Sequence, residues 1–412
     1  MHGCHAARPL IVIGIIAAAL GSVPAAADDT DGTTFVDAVT KGRFSLGLRY
    51  RFEDVEQDGF DDSGRASTLR TTLGYRTGWW EGLAAFLQVE DVHDIGFTGE
   101  HNNSGFGSLW NGVSDRPVIA DPEITELHQV YLDWRPAEKL VVRGGLHEIT
   151  LGNQRFVGNV GWRQNRQSFE GVRIDFTGLA DTTLTYAWVS RAHQVSGASR
   201  PMSSHLAELE HLFAGIGALR AYGYLLDWDE ASQAGLSTLS YGASLAGAPK
   251  FSERITLPYR IELAQQGDAG DNPGMVDAMY WRADIGLGVG AFTVAATYEL
   301  LGGDPSSGAF STPLATLHGY NGWADKFLTT PANGLEDLFL SATANLGRWK
   351  LEGVLHDYSA DTGGASWGSE LDLLIVYTAP WKQSFAAKAA LYDAEDWATD
   401  TDKFWLYTEW GF

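Results

Sequence analysis

The sequence predicts an all-β fold: a transmembrane antiparallel β-barrel of about 18 strands. Three observations point to it. The last ten residues, Lys403 to Phe412, alternate at period two, with Phe404, Leu406, Thr408, Trp410 and Phe412 on one face and Trp405, Tyr407, Glu409 and Gly411 on the other, which is a strand pattern. A terminal strand with an apolar face and an unpaired edge is avoided by soluble proteins. A membrane barrel needs one, because its last strand pairs with its first and faces lipid. Tight turns such as Trp79 to Gly82, Arg135 to Lys139, Ala214 to Ala218, Gly288 to Ala291 and Leu346 to Arg348 alternate with long acidic connections, as short periplasmic turns alternate with external loops in such barrels. The composition agrees: 48 Gly, 15 Trp, 15 Tyr and 19 Phe in 412 residues supply turns and aromatic girdles.

The N-terminus has the form of a cleaved signal peptide over residues 1–27. Arg8 precedes the apolar run Leu10 to Leu20, and Pro24-Ala25-Ala26-Ala27 forms a small-residue cleavage site before Asp28. The run is too short to span a bilayer. Cys4, the only cysteine, lies within the segment to be removed and before its apolar core, so the mature chain has no disulfide and Cys4 is not a lipid-attachment site. No later run is long enough for a membrane helix, so spanning must use strands. Residues 28–41 read as a periplasmic lead-in and 42–412 as the barrel. Secretion and barrel together imply the outer membrane of a Gram-negative bacterium. The net charge of −23 excludes nucleic acid as a partner.

In chain order, Gly42 to Asp54 sets Phe44, Leu46, Leu48, Tyr50 and Phe52 against Ser45, Gly47, Arg49, Arg51 and Glu53. After a polar turn, Ser67 to Thr77 sets Leu69, Thr71, Leu73 and Tyr75 against Arg70, Gly74 and Arg76, and Leu83 to Asp91 follows. Further strands are predicted at Ile124–Trp134, Leu140–Ile149, Ser168–Phe176, Thr182–Arg191, His205–Phe213, Leu219–Asp227 and Leu236–Leu245. The remainder are Arg254–Gln265, Val276–Leu287, Phe292–Leu301, Asp337–Asn345, Trp349–Tyr358, Gly368–Tyr377, Ser384–Asp393 and Lys403–Phe412. The pattern between His205 and Leu245 is the weakest and leaves 16 strands as the alternative.

With the apolar set facing lipid, the other set faces a lumen wide enough to keep charges solvated. It includes Arg49, Arg51, Arg70, Arg143 and Arg173, opposed by Glu53, Glu90, Glu299 and Glu409. Pairing of these charges along the wall and a solute-guiding role are both open. Eighteen of the 29 Lys and Arg precede residue 201, and arginine forks suit carboxylates passing between weak sites. The acid excess lies in loops such as Asp54–Asp62 and Asp393–Asp402. Two stretches, Leu151–Asn165 with Arg155, Trp162 and Arg163, and Leu317–Gly334 with Asn321, Trp323 and Lys326, mix amides, cations and aromatics. They are too aromatic for disorder and are expected to fold into or over the pore as constrictions.

RFVGNVGWRQNRQSFEGVR (Arg155–Arg173), NGWADKFLTTPANGLED (Asn321–Asp337) and KGRFSLGLRYRFEDVEQDGF near the start resemble the alginate-export family of outer-membrane barrels across essentially the whole mature chain. The resemblance implies an 18-stranded monomeric porin with an arginine-lined pore, passing anionic polysaccharide or uronate-type sugars, with Arg49, Arg70, Arg155 and Arg173 as candidates for the lining. The inward face here is charge-balanced rather than strongly basic, which keeps a general small-solute porin as the alternative.

An enzyme or a surface adhesin is the less favoured class. The histidines, among them His93, His128, His147, His193 and His356, are dispersed, and no H-E-x-x-H spacing occurs. No catalytic residue, cofactor or metal site is expected, and the absence of an N-terminal plug argues against a TonB-dependent transporter. The expected partners are outer-membrane lipid and lipopolysaccharide, and the barrel assembly machinery acting on the C-terminal strand.

Overall fold

The computed structural model describes residues 34–412 apart from residue 98; the predicted signal peptide, with Cys4, lies outside the described residues. A closed antiparallel barrel of 18 strands accounts for most of the chain. Its strands are β1 (Arg43–Gln57), β2 (Gly64–Arg76), β3 (Leu83–Gly96), β4 (Ile124–Ala137), β5 (Leu140–His147), β6 (Ser168–Leu179), β7 (Thr182–His193), β8 (Ser199–Phe213) and β9 (Gly217–Leu226). They continue with β10 (Thr238–Gly247), β11 (Tyr259–Asp268), β12 (Asp277–Val289), β13 (Phe292–Leu301), β14 (Leu335–Leu346), β15 (Trp349–Ser359), β16 (Ser366–Thr378), β17 (Ser384–Ala394) and β18 (Thr401–Gly411). Each pairs with its sequence neighbour, and β18 closes on β1 from Gly47↔Gly411 to Gln57↔Thr401. Closure removes the free edge that made the C-terminal segment anomalous. Phe412 completes it, its N–H donating to the Leu46 carbonyl at 2.9 Å.

The differences from the sequence pattern have local causes. Thr238 to Gly247 is a full strand, so the region after His205 holds three strands and the count is 18, not 16. Strand β8 begins six residues early, at Ser199, and carries Pro201 where its register with β7 shifts between Val189 and Arg191; a proline cannot donate to the ladder and is tolerated at such a bulge. The predicted strand Arg254–Gln265 is broken by Pro258 into a two-residue pairing, Ile255–Thr256, and β11. The connections at one end are tight except for residues 248–258, which carry the Ile255–Thr256 pairing. At the other they range from residues 194–198, which are short, to 97–123 and 302–334. Part of the lead-in is ordered: a helix, Phe35–Thr40, capped by the Thr34 hydroxyl, places the Ala38 carbonyl where Gly78 N–H donates to it at 2.9 Å and stacks Phe35 edge-on against Trp80.

Outward positions are apolar and exposed, as a lipid-facing wall requires: Leu132, Ile285, Val294, Leu340 and Leu355 are each more than half exposed. Aromatic pairs flank this belt, Trp349 with Tyr377 at 4.7 Å near the short-turn end and Trp281 with Tyr298 at 4.4 Å toward the other. The hydrophobic core lies inside the barrel. It consists of Phe156 and Trp162 from residues 148–167 (loop 3) and Phe310, Leu314, Trp323 and Phe327 from residues 302–334 (loop 7), packed on Tyr222, Tyr280, Trp405 and Tyr407 of the wall. No helix among the described residues is long and apolar enough to cross a membrane.

Candidate functional site

Loops 3 and 7 enter the lumen from opposite walls and interlock. Val157 and Leu314 form a parallel bridge, Gly158 N–H donates to the Leu314 carbonyl at 2.8 Å, and Thr316 N–H donates to Gln154 at 3.0 Å. Arg155 is the central tie. Its guanidinium donates to Glu299 of β13 at 2.8 Å, to the Thr312 hydroxyl and to the Asn321 side-chain oxygen at 3.0 Å. The Asn321 amide in turn donates to Glu299 at 2.8 Å and to Asp337 at 3.1 Å, so each nitrogen of the Arg155 fork and of the Asn321 amide reaches an acceptor. Gly322, at φ 86°, lies so close to the wall that a Cβ would collide with the Glu370 carboxylate and the Tyr358 hydroxyl.

The facing wall grips loop 3 through its backbone. Arg49 donates to the Gly161 and Trp162 carbonyls at 2.9 and 2.7 Å, and Arg51 donates to the same Trp162 carbonyl at 2.7 Å while pairing with Asp121. Arg70 reaches the Gln164 carbonyl and Glu409. The Trp162 indole so fixed stacks on the His318 imidazole, 4.3 Å apart at 5°. Lys388 of β17 sits 4.0 Å from the Trp162 ring and 3.7 Å from that of Trp323, a cation held by aromatic faces from both loops.

Above this interlock, toward the long-loop end, opens a vestibule of about 360 Å³. Its lining combines the apolar Val118, Ala120, Val160, Pro313 and Leu328 with Arg163, His318, Asp325, Lys326 and Lys403. Asp325 is the shared anion: Arg163 donates to it at 2.6 Å, Lys403 at 3.2 Å, and it lies 2.8 Å from His318 Nδ1. Burial alone would raise the Asp325 carboxyl; His318, Lys403 and Arg163 hold it well below the usual carboxylate range. Burial keeps the His318 imidazole neutral against the opposing pull of Asp325, with help from Lys388. Burial, together with the Lys403 charge, lowers Lys326 to about 8. Two cations, Arg163 and Lys403, thus converge on one carboxylate, and Lys326 lines the same cavity beside apolar side chains. A larger cavity of about 560 Å³ at the rim brings Asp58, Asp61 and Asp62 against Asp393, Asp400 and Asp402, but no Lys or Arg lines it and it lies away from the interlock.

The predicted residues therefore fall into three groups. Arg49, Arg51, Arg155, Trp162, Asn321 and Trp323 build the interlock, with Arg70 and Glu90 at its wall; Arg163 and Lys326 face the vestibule. Arg143 and Arg173 stand apart on the short-turn side, paired with Asp133 and Asp175. The expectation that inward charges stay solvated fails for the first group: Arg49, Arg51 and Arg155 are at most 4% exposed, because the loops fill the lumen at their level. His318, Asp325, Lys403 and Arg166 complete the site without having been singled out, together with Lys388, whose strand parity points it inward. The parity of β18 carries the signal for Lys403, since Lys403, Trp405, Tyr407 and Glu409 share one face. Gly364-Ala365-Ser366-Trp367-Gly368 has the G-x-S-x-G spacing of a nucleophile elbow, but Ser366 opens strand β16, where the elbow requires a turn into a helix.

No family model and no curated protein matches the chain. Its fold is shared with solved barrels. OccK9 (OpdG) of Pseudomonas aeruginosa is 15% identical, with a TM-score of 0.73 over 91% of this chain and 99% of its own. OpdK of Pseudomonas aeruginosa, solved with vanillate, is 14% identical, with a TM-score of 0.72 over 90% and 98%. OccAB2 of Acinetobacter baumannii is 15% identical, with a TM-score of 0.69 over 91% and 99%.

Proposed function

We propose that this chain is an outer-membrane porin that passes small organic anions carrying an apolar body, bound first in the vestibule above the interlocked loops. The observation that carries the reading is a cavity lined by Arg163, Lys326 and Lys403 together with Val118, Ala120, Val160, Pro313 and Leu328, in which Asp325 is the acid that Arg163 and Lys403 share. Such a pocket suits a carboxylate on an aromatic or aliphatic frame. The structural relatives are consistent with this, one of them having been solved with vanillate, an aromatic carboxylate.

Uronate-type sugars or an anionic polysaccharide, exported through an arginine-lined pore, are the second reading and rest on the motifs Arg155–Arg173 and Asn321–Asp337. Those motifs prove to be the interlocking segments, whose buried groups bind one another. A polymer would have to displace both loops, whereas a small solute needs only the space beside them, which favours the small solute. Chemistry on the solute is not part of the proposal; casein or phospholipid turnover by the purified protein would refute a purely conducting role.

The test is single-channel recording in planar bilayers with anion-to-cation permeability ratios and block by graded solutes. Anion preference with millimolar block by benzoate-type carboxylates, exceeding that by galacturonate, is expected. Cation preference without block by either class would overturn the reading.

A further inference from the structure

Where loop 3 leaves and rejoins the wall, a second cluster lies outside the vestibule. Its members are Glu90 of β3, Glu126 and His128 of β4, and Glu148 and Arg166 from the first and last turns of the loop. One oxygen each from Glu90 and Glu126 and a nitrogen of His128 lie within 4.8 Å of one another. His128 is fully buried, and its Nδ1 has no hydrogen-bond partner. That nitrogen points between two carboxylates, 3.8 Å from Glu126 and 4.0 Å from Glu90. These separations are too long for hydrogen bonds and match the spacing of ligands that each lie about 2.1 Å from a common ion.

The other imidazole nitrogen is already committed. Nε2 lies 2.8 Å from Glu148, and a carboxylate there takes the Nε2 proton and leaves the Nδ1 lone pair facing Glu90 and Glu126. A lone pair aimed at two carboxylates is unfavourable unless a cation, either a proton or a metal ion, lies between them. A carboxylate behind the ligating histidine is also the arrangement that orients imidazoles on metals. Arg166 steadies the outer shell, donating to Glu90 at 3.0 Å and pairing with Glu148 at 2.8 Å. Three carboxylates against this one guanidinium leave an excess of negative charge that a divalent ion would neutralise.

We propose that Glu90, Glu126 and His128 bind a divalent transition-metal ion of the zinc class, with Glu148 as the second-shell partner of His128. One imidazole and two carboxylates suit zinc better than calcium or magnesium, which take all-oxygen sets. Glu126, 29% exposed, gives the ion a way in from the lumen. Because Glu148 opens loop 3 and Arg166 stands one residue before its close, the ion fixes the loop's anchorage to β3 and β4.

The test is a zinc chloride titration of the full-length protein in detergent, by calorimetry and by metal analysis after gel filtration. X-ray absorption then reads the ligand set. One zinc per chain is expected, bound through nitrogen and oxygen with one imidazole. His128→Gln and Glu126→Gln should each lower affinity at least tenfold, and Glu148→Gln about 10- to 100-fold through the second shell. Heat-modifiable migration checks that each variant is a folded barrel, and Glu126→Gln, at a partly exposed position, keeps the test alive if His128→Gln does not fold. Zinc binding unchanged in folded Glu126→Gln, an imidazole-free ligand set, or no saturable zinc binding by the parent protein would each overturn the proposal.

Discussion

The lumen holds two sets of arginines that look alike in sequence and are used differently. Beside loops 3 and 7, Arg49, Arg51 and Arg155 are 4%, 1% and 1% exposed and bind loop carbonyls, an amide and buried carboxylates. Toward the short-turn end, Arg76, Arg143 and Arg173 retain 26%, 29% and 23% side-chain exposure and pair with acids of their own wall. Arg49 and Arg51 stand on β1 and Arg155 on loop 3, while Arg76, Arg143 and Arg173 stand on β2, β5 and β6. What separates them is the filling: where a loop enters, the water that would solvate a guanidinium is replaced by peptide carbonyls, and the arginine becomes a structural tie. Where no loop enters, it stays at a solvated wall, within reach of a passing solute.

The largest effect should come from cutting a tie. Arg155→Ala leaves Glu299 buried with part of its partnership gone, and breaking a buried pair by removing one member costs about 3–5 kcal/mol. The barrel hydrogen bonds do not depend on it, so the loss should appear as release of loops 3 and 7. The expected outcome is a lower transition temperature in heat-modifiable migration together with a several-fold rise in single-channel conductance. Unchanged conductance would show that the buried set does not hold the constriction.

Next in size is the vestibule floor. Lys326→Glu puts a second carboxylate beside Asp325 and should reverse or abolish anion preference, reducing block by aromatic carboxylates at least tenfold, about 1.4 kcal/mol; Lys326→Arg should preserve both. The parent protein should show a weaker form of the same effect with pH. An ordinary lysine keeps its charge to 10.5, but Lys326 is lowered to about 8 by burial and by Lys403. Its charge is present at pH 7 and lost as pH rises through about 8, so carboxylate block should weaken between pH 7 and 9. Block that is flat to pH 9 would place the anion elsewhere.

Much of the barrel was readable because one physical rule governs it. Lipid on one face and lumen on the other impose period two, and all 18 segments with that rhythm are strands. The closing partnership of β18 with Gly42–Asp54 follows from it. The interiors of loops 3 and 7 could be recognised as folded by composition, since Trp162, Trp323 and their neighbouring amides have no place in a solvated loop. Which groups meet there was not readable. Arg155 finds Asn321 across 166 positions and Arg49 finds Gly161 across 112, and no local period encodes such a meeting. Burial was misjudged for the same reason: a width that leaves an aqueous lumen says nothing of what the loops then place in it.

The smallest effects, and the sharpest test of the contrast, belong to the exposed set. Arg143 shares Asp133 with Arg76, so Arg143→Gln leaves that buried carboxylate still paired. Arg173 grips Asp175 two positions along its own strand, and Asp175 also accepts from the Thr185 hydroxyl at 2.7 Å, so Arg173→Gln orphans nothing. Partly solvated pairs of this kind contribute about 0–1 kcal/mol, and the shift in heat-modifiable migration should be barely measurable for either variant. Their conductance should stay within about twofold of the parent, because no loop rests on them, while anion preference should fall slightly as a positive charge leaves a solvated wall. A stability loss as large as that of Arg155→Ala would mean that burial is not what divides the two sets, and that the arginines of this lumen act as one structural network from end to end.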